Sequence, residues 1–354
     1  MRIQTDAAEP VRCSPSIQGA FCHTALRNIQ HHQRRPRLSL DLRIGIHTST
    51  AGSLERAAVK AHELGANTFQ IFSSSPRMWR AKPPDPAQVR LLKRERERHD
   101  LTPLAVHDSY LINLASADPV IRKRSIEAFT GEIERALVIG AEYLVTHPGN
   151  YKDLTLEQGL FNVAEGLAMS WRAIDSSLQQ NAKLTILLEN TAGARNQLGA
   201  DFDELTTLRS LAGPYLDIPI GYCLDTCHCY VSGRDISTET GLAAFVRETD
   251  DSLGLDHVPV IHTNDAKAGL GSHLDRHANI GAGYIGKEGF RRILSHPRLR
   301  DKAFILETPV DEPGDDLRNV TALKELVPFP NKRLTTKESR ANGMSGGRTT
   351  RRST

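Results

Sequence analysis

Short apolar runs of roughly four to seven residues recur along this chain, roughly 25 to 45 residues apart, and an amphipathic pattern fills each gap. The runs fall at 43–47, 68–72, 103–107, 143–147, 184–189, 219–225, 258–263 and 303–307, and each reads as a strand. Leu54, Ala57, Ala58, Ala61 and Leu64 form an i, i+3, i+4, i+7 stripe, the spacing that lines one face of a helix. Residues 88–98 mix Lys, Arg and Glu like a solvated helix face with paired charges. Stretches 121–139 and 156–178 also read as helices. Eight βα units in a row predict an α/β fold, a (β/α)8 TIM barrel. A doubly wound sheet is the alternative architecture.

Seven of the runs end in a residue that can bind a metal or handle a proton: His47, His107, His147, Glu189, Asp225, His262 and Glu307. A TIM barrel assembles its active site at the C-terminal strand ends and the loops that follow, so one rim would gather them. His107, His147, His228, His262 and His277 supply imidazoles, and Glu189, Asp225, Asp275 and Glu307 supply carboxylates. Mixed nitrogen and oxygen donors suit zinc, manganese or iron and disfavour thiolate-rich structural zinc. This set is too large for one ion, whereas three ions with about three or four protein ligands each would use it if one carboxylate bridged. Asp225 with His228, and Asp275 with His277, are spaced so that both members can face one side. Bridged ions about 3.5 to 4 Å apart activate water and neutralise a phosphoryl transition state.

Taken singly, each position has a plainer reading. A lone His at a strand end is more often a hydrogen-bonded structural residue, and Glu189 or Glu307 could pair with Arg or Lys. The whole set on one rim reverses this, because burying so many carboxylates together without cations is costly. His47 is expected beside the ligands. Cys227 and Cys229 flank His228, but no second pair at zinc spacing exists. His62, His99, His257 and His296 fall in helical or connecting patterns.

Composition adds scale and charge. With 354 residues and 39% hydrophobic content the chain can bury a large core, and barrels commonly run about 250 residues as one domain. The formal charge of +3 is uneven: residues 1–40 carry +4 and residues 331–354 carry +6, which leaves −7 between them. An acidic core that meets an anionic partner needs bound cations or a local basic patch. The five cysteines are odd in number and unevenly spaced, which argues for a reducing compartment. No apolar run reaches the roughly 18 residues of a membrane span, and the first 40 residues lack the apolar stretch of a secretory signal. Residues 1–40 are expected to be a disordered extension or an overlong start, with organelle targeting as the alternative. Residues 331–354 hold too few apolar residues to fold alone, so the domain is placed at 41–330. Gly281, Gly283 and Gly286 match G-x-G-x-x-G, but the loop around His277 precedes them instead of a first strand, which argues against a dinucleotide fold. Their backbone N–H groups are expected to contact a phosphate.

Seven motifs carry a family resemblance: His107 through Leu114, Thr146 through Gly149, Leu188 through Gly193, Leu224 through His228, His262 through Lys267, Asp275 through His277, and Leu306 through Thr308. In order and with compatible gaps across residues 43–326, they resemble the endonuclease IV family of zinc-dependent apurinic/apyrimidinic endonucleases. The resemblance implies three zinc ions, with manganese possible in part. His107, His147 and Glu189 would hold the first. Glu189 would bridge to a second, completed by Asp225, His262 and Glu307, and His228, Asp275 and His277 would hold the third. Glu189, Glu307 and Asp225 would be the catalytic carboxylates.

The implied reaction is hydrolysis of the phosphodiester 5′ to an abasic site in double-stranded DNA, giving a 3′-hydroxyl and a 5′-deoxyribose phosphate. Removal of blocking groups from 3′ ends is implied as a secondary activity. The protein would be a monomer in the cytoplasm, associated with the nucleoid and with no membrane partner. The stretch Ser75 through Arg80 resembles the family's DNA-penetrating loop, with Arg77 entering the minor groove and Trp79 beside it. Tyr110 and Leu111 match residues that wedge beside the lesion. Trp79 and Leu111 could instead simply pack their loops. Met78 departs from the polar residue expected next to Arg77. Two other functions are consistent with parts of the pattern: a metal-dependent sugar isomerase or epimerase, and a catalytically silent DNA-binding protein.

Overall fold

The computed structural model describes residues 42–180 and 182–327, so the expectations for the two terminal extensions lie outside it. The apolar runs form β1 (Arg43–His47), β2 (Thr68–Phe72), β3 (Leu104–His107), β4 (Tyr143–Thr146), β5 (Thr185–Glu189), β6 (Ile220–Asp225) and β7 (Val260–His262). A small antiparallel hairpin follows, β8 (Asp265–Ala266) and β9 (His277–Ala278), and then β10 (Ala303–Leu306). All but the hairpin strands are parallel, and β1 pairs with both β2 and β10, so the sheet closes into a barrel. Closure rules out the doubly wound sheet.

The helices are α1 (Leu54–Glu63), α2 (Pro86–Arg98), α3 (Pro119–Ile139), α4 (Leu156–Arg172), α5 (Ser176–Gln179), α6 (Phe202–Ala212), α7 (Thr226–Val231), α8 (Glu239–Ser252), α9 (Gly286–Ser295) and α10 (Asp315–Glu325). Local chemistry sets their ends. Asp85 and Asp118 cap α2 and α3 just before a Pro at the first helical position, where Pro costs no hydrogen bond. Thr155 and Gln158 form a reciprocal capping box at α4. Gly140 ends α3 in the left-handed conformation. The stretch 156–178, expected as one helix, is two, because Asp175 caps a new start through the N–H of Ser177.

Two separate cores result. The larger one lies between strands and helices and includes the buried stripe of α1. The smaller fills the barrel with Ala105, Val145, Leu187, Cys223, Val260, Ala303 and Ile305. All but Ala303 in this inner layer precede a rim residue by two positions: His107, His147, Glu189, Asp225, His262 and Glu307, respectively. Side chains alternate along a strand. The inward face that packs the apolar layer therefore carries the polar layer above it. Gly45 precedes His47 in the same way, and a Cβ there would stand 2.0 Å from the Thr68 carbonyl oxygen.

Candidate metal centre

Strand ends supply most of the site. His107, Glu189, Asp225 and His262 are the last residues of β3, β5, β6 and β7, while His147 and Glu307 directly follow β4 and β10. His228 lies on α7, whose N-cap is Asp225; the Asp225 carboxylate accepts the His228 N–H at 2.8 Å. Asp275 and His277 come from the hairpin.

These residues meet in three groups, in each of which the donor atoms lie within 4.8 Å of one another. In the first, Glu189 Oε2 is 3.2 Å from His107 Nε2 and 3.6 Å from His147 Nε2. In the second, which includes Asp225, His262 Nδ1 is 3.1 Å from Glu189 Oε1 and 3.2 Å from Glu307 Oε2. In the third, Asp275 reaches His228 Nε2 at 3.2 Å and His277 Nε2 at 3.4 Å. Glu189 thus gives one oxygen to each of two groups. Asp225 Oδ2 stands 3.8 Å from His277 Nε2, which brings the third group against the second.

The hydrogen bonds fit a metal as occupant. His107 Nδ1 donates to the Asp108 carbonyl at 3.0 Å, and His228 Nδ1 donates to the Asn190 carbonyl at 2.9 Å. His277 Nδ1 donates to the Glu307 carbonyl at 3.1 Å. A carbonyl only accepts, so each of these rings carries its proton on Nδ1, and Nε2 is the atom turned toward the cluster. His277 Nε2 is buried with no hydrogen-bond partner among the described residues. His262 is reversed: its Nε2 donates to Gln70 Oε1 at 2.9 Å, which leaves Nδ1 facing Glu189 and Glu307. Fixing a ligand imidazole through its other nitrogen is the usual arrangement of metal-binding histidines.

Electrostatics point the same way. Burial opposes charge on His228, but the Asp225 and Asp275 carboxylates raise its pKa to about 10. Burial likewise disfavours protonated His107, yet its hydrogen bonds to Asp108 and Glu189 hold it well above the ordinary imidazole range. Glu189 is fully buried, which favours its neutral form, but the charges of His262 and His147 hold it well below the usual carboxylate range. The carboxylates hold protons on His107, His228 and His262, whereas burial keeps His147 low, and divalent ions would supply the positive charge that those protons now provide. No Arg or Lys pairs with Glu189 or Glu307 among the described residues, so the simple salt-bridge reading of these two fails.

Two further donor groupings include a cysteine, Cys223 with Glu189 and His262, and Cys227 with Asp225 and His277. Burial pushes the Cys223 thiol up to about 11 and raises Cys227 as well, so both are neutral thiols near pH 7. Cys229 Sγ accepts the side-chain amide N–H of Asn190 at 3.3 Å.

Sequence reasoning missed three amides that hold the ligands. Besides accepting from His262, Gln70 donates to Glu307 Oε1 at 2.5 Å. Asn264 donates to Asp225 Oδ2 at 2.5 Å and accepts the Glu307 N–H at 2.8 Å. Asn190 accepts the Asp225 N–H at 2.6 Å. Gln70 carried a signal, a polar residue on the inward face of a strand. His47 sits beside the ligands, 3.8 Å from Glu307 Oε1.

A cavity of about 440 Å³ opens over the cluster, with Phe72 and Tyr110 in its wall. Arg77 and Met78 are exposed on the β2–α2 loop, and Tyr110 is 68% exposed on the β3–α3 loop. Leu111 is half-buried there. Trp79 is partly buried against the larger core, so it packs its loop as well as flanking Arg77. The two loops are tied together, because Ser109 Oγ donates to the Pro76 carbonyl at 2.8 Å.

The expected phosphate contact of the glycine loop is overturned. N–H groups of Gly281, Gly283, Ile285 and Gly286 are bound to the Asp265 carboxylate, and those of Ala282 and Tyr284 to the carbonyls of Asn279 and Ala266. None is left to receive a phosphate.

A closed barrel whose rim gathers imidazoles and carboxylates into adjoining donor groups defines a metal-site TIM-barrel protein, and the sequence model of the xylose isomerase-like TIM barrel family matches residues 58–328. A relative from Solibacter usitatus named "Probable endonuclease 4" is 58% identical over 286 residues, covering 81% of this chain and 97% of its own. The crystal structure of endonuclease IV from Thermus thermophilus is similar with a TM-score of 0.69 at 37% identity, over 80% of this chain and 98% of that one. The chain belongs to the endonuclease IV family. A D-psicose 3-epimerase from Clostridium cellulolyticum shares the fold, with a TM-score of 0.53 at 17% identity over 79% of this chain and 90% of its own.

Proposed function

We propose that this chain is a DNA-repair nuclease that hydrolyses the phosphodiester 5′ to an abasic site in double-stranded DNA, at a trinuclear zinc centre. The observation that supports it most is the position of Glu189, one oxygen turned to His107 and His147 and the other to His262, with the His228 group adjoining. A sugar isomerase needs one or two ions and would leave His228, Asp275 and His277 without a role. The names and identities of the relatives favour the nuclease as well.

His107, His147 and Glu189 would hold one ion; Glu189, Asp225, His262 and Glu307 a second; His228, Asp275 and His277 a third. When bound, zinc lowers the pKa of a water toward about 7 and offsets the charge that grows on a phosphoryl group. The water oxygen joins phosphorus, the bond from phosphorus to the upstream O3′ breaks, and the leaving oxygen takes up a proton. The products are a 3′-hydroxyl and a 5′-deoxyribose phosphate. Glu189, Asp225 and Glu307 keep the reacting groups in register, with Gln70, Asn190 and Asn264 fixing those carboxylates or their backbone. Phe72 and Tyr110 wall the cavity. Arg77, Trp79, Tyr110 and Leu111, on the two tied loops, engage the DNA around the missing base. The same cavity removes blocking groups from 3′ ends as a secondary activity, and the setting is nucleoid DNA in the cytoplasm.

The test is a duplex carrying one synthetic abasic site. It should be nicked once on the 5′ side, lose that cleavage in a strong chelator and regain it with zinc. An intact duplex after incubation with folded, metal-loaded protein would turn the reading toward the isomerase.

A further inference from the structure

We infer that Asp265 is a positioning residue for the Asp275 and His277 side of the metal centre, and that the glycine loop 281–286 exists to hold it. The inference rests on the three-ion reading above.

Asp265 is fully buried, yet no Arg, Lys or His pairs with its carboxylate among the described residues. Its partners are backbone. Oδ2 accepts from Gly281 at 2.9 Å and Gly283 at 3.0 Å, while Oδ1 accepts from Ala266 at 2.9 Å and Ile285 at 3.0 Å. The Gly286 N–H is shared between both oxygens at 3.3 Å. A buried anion is tolerable only when saturated in this way. Ile285 and Gly286 also open α9, whose N-terminus favours a negative charge and here has no side-chain cap of its own.

The loop sequence follows from this cradle. Gly281 and Gly286 have φ of +83° and +68°, a region that glycine enters without strain. Gly283 has no such angle, but a Cβ there would lie 2.4 Å from the Ala266 carbonyl oxygen and 2.5 Å from Asp265 Oδ1. All three glycines of the G-x-G-x-x-G match are thereby explained by an internal carboxylate.

Asp265 is also half of β8. It pairs with Ala278 while Ala266 pairs with His277, and the Lys267 N–H reaches the Arg276 carbonyl at 2.9 Å. The hairpin these contacts fix carries Asp275 and His277. The side chain of Asp275 is 52% exposed and its carboxylate meets only His228 and His277 among the described residues. Apart from those two imidazoles, the hairpin backbone is what aims it among the described residues. The Tyr284 N–H, bonded to the Ala266 carbonyl at 2.8 Å, clamps the glycine loop to the other edge of the same strand.

The experiment counts zinc in purified, dialysed protein and follows amide hydrogen exchange in the loop. Wild-type protein should hold three ions. Asp265→Asn turns an amide NH2 toward the N–H donors; it should hold two ions, bind the third at least about tenfold more weakly in a chelator titration, and lose protection at Gly281, Gly283 and Ile285. A wild-type count below three sinks the three-ion reading. A variant that keeps every ion at wild-type affinity overturns the role of Asp265. Should Asp265→Asn fail to fold, Gly283→Ala disturbs the cradle from the loop side with the carboxylate retained. Loss of one ion then supports the inference. Loss of all ions together, or of none, overturns it.

Discussion

Glu189 is almost completely buried and lies within 3.6 Å of imidazole nitrogens of His107, His147, His228 and His262. Replacing it with Gln keeps the shape and removes the charge that two donor groups share. Glu189→Gln is therefore expected to keep the barrel, by circular dichroism, while incision of an abasic duplex falls by at least about a hundredfold, since even partners behind a ligand cost about 10- to 100-fold. Full turnover would refute the bridging role. The metal-free protein should show its own pH dependence. His228, at about 10 folded against 6.5 ordinarily, stabilises the fold fully below about pH 6.5 and loses that contribution as pH climbs through about 10. Glu189 and Asp275, both held low, act in the other direction; their contribution is present above the ordinary carboxylate range and lost as pH falls. Chelator-treated protein should thus melt at its highest temperature near pH 6 and lower at pH 9, and a melting temperature that climbs between those values would contradict the contacts. His107, His147, Glu189, Asp225, His262 and Glu307 were legible because imidazole or carboxylate at the end of an apolar run is rare enough to be noticed, whereas His228, Asp275 and His277 were found only by spacing and by family resemblance. Asn190 and Asn264 were not, since amides are common where strands give way to loops, and only the fold brings Asn190 to the Asp225 N–H and Asn264 to the Asp225 carboxylate.

At the scale of elements, the eight barrel strands were readable to within about two residues at either end, because each is apolar and bounded by polar or turn residues. The hairpin was invisible. Strands of two residues have no period to detect, and β8 and β9 owe their pairing to the Asp265 cradle instead of to side-chain alternation. The break between α4 and α5 was missed because the apolar stripe runs on past the cap at Asp175. Nor did the sequence reveal how the β2–α2 and β3–α3 loops are joined through Ser109 and Pro76. Removing a hydrogen bond of this kind costs about 0.5 to 1.5 kcal/mol. Ser109→Ala should weaken binding of abasic duplex by about two- to tenfold with kcat unchanged, measured by titration and single-turnover cleavage. A fall in kcat with binding intact would instead mean that Ser109 acts on the metal ligands through its neighbour Asp108.

For the whole molecule, charge decides how a polyanion is met. The region between the terminal extensions carries −7, and residues 331–354 carry +6. Each phosphate neutralised by protein releases a counterion and steepens the salt dependence of binding. Deleting 331–354 should weaken duplex affinity and flatten its slope against salt concentration, and an unchanged slope would show that this stretch does not touch DNA. The inner layer of Ala105, Val145, Leu187, Cys223, Val260 and Ile305 has another consequence at this scale. It stoppers the barrel from below, so among the described residues the cavity over the cluster is the route left for ions, the same one a substrate takes. Once a damaged duplex lies across that single doorway, the metals are trapped until the strand departs. A chelator should accordingly inactivate the idle enzyme faster than one saturated with an uncleavable abasic duplex, and equal rates would reveal a second way out.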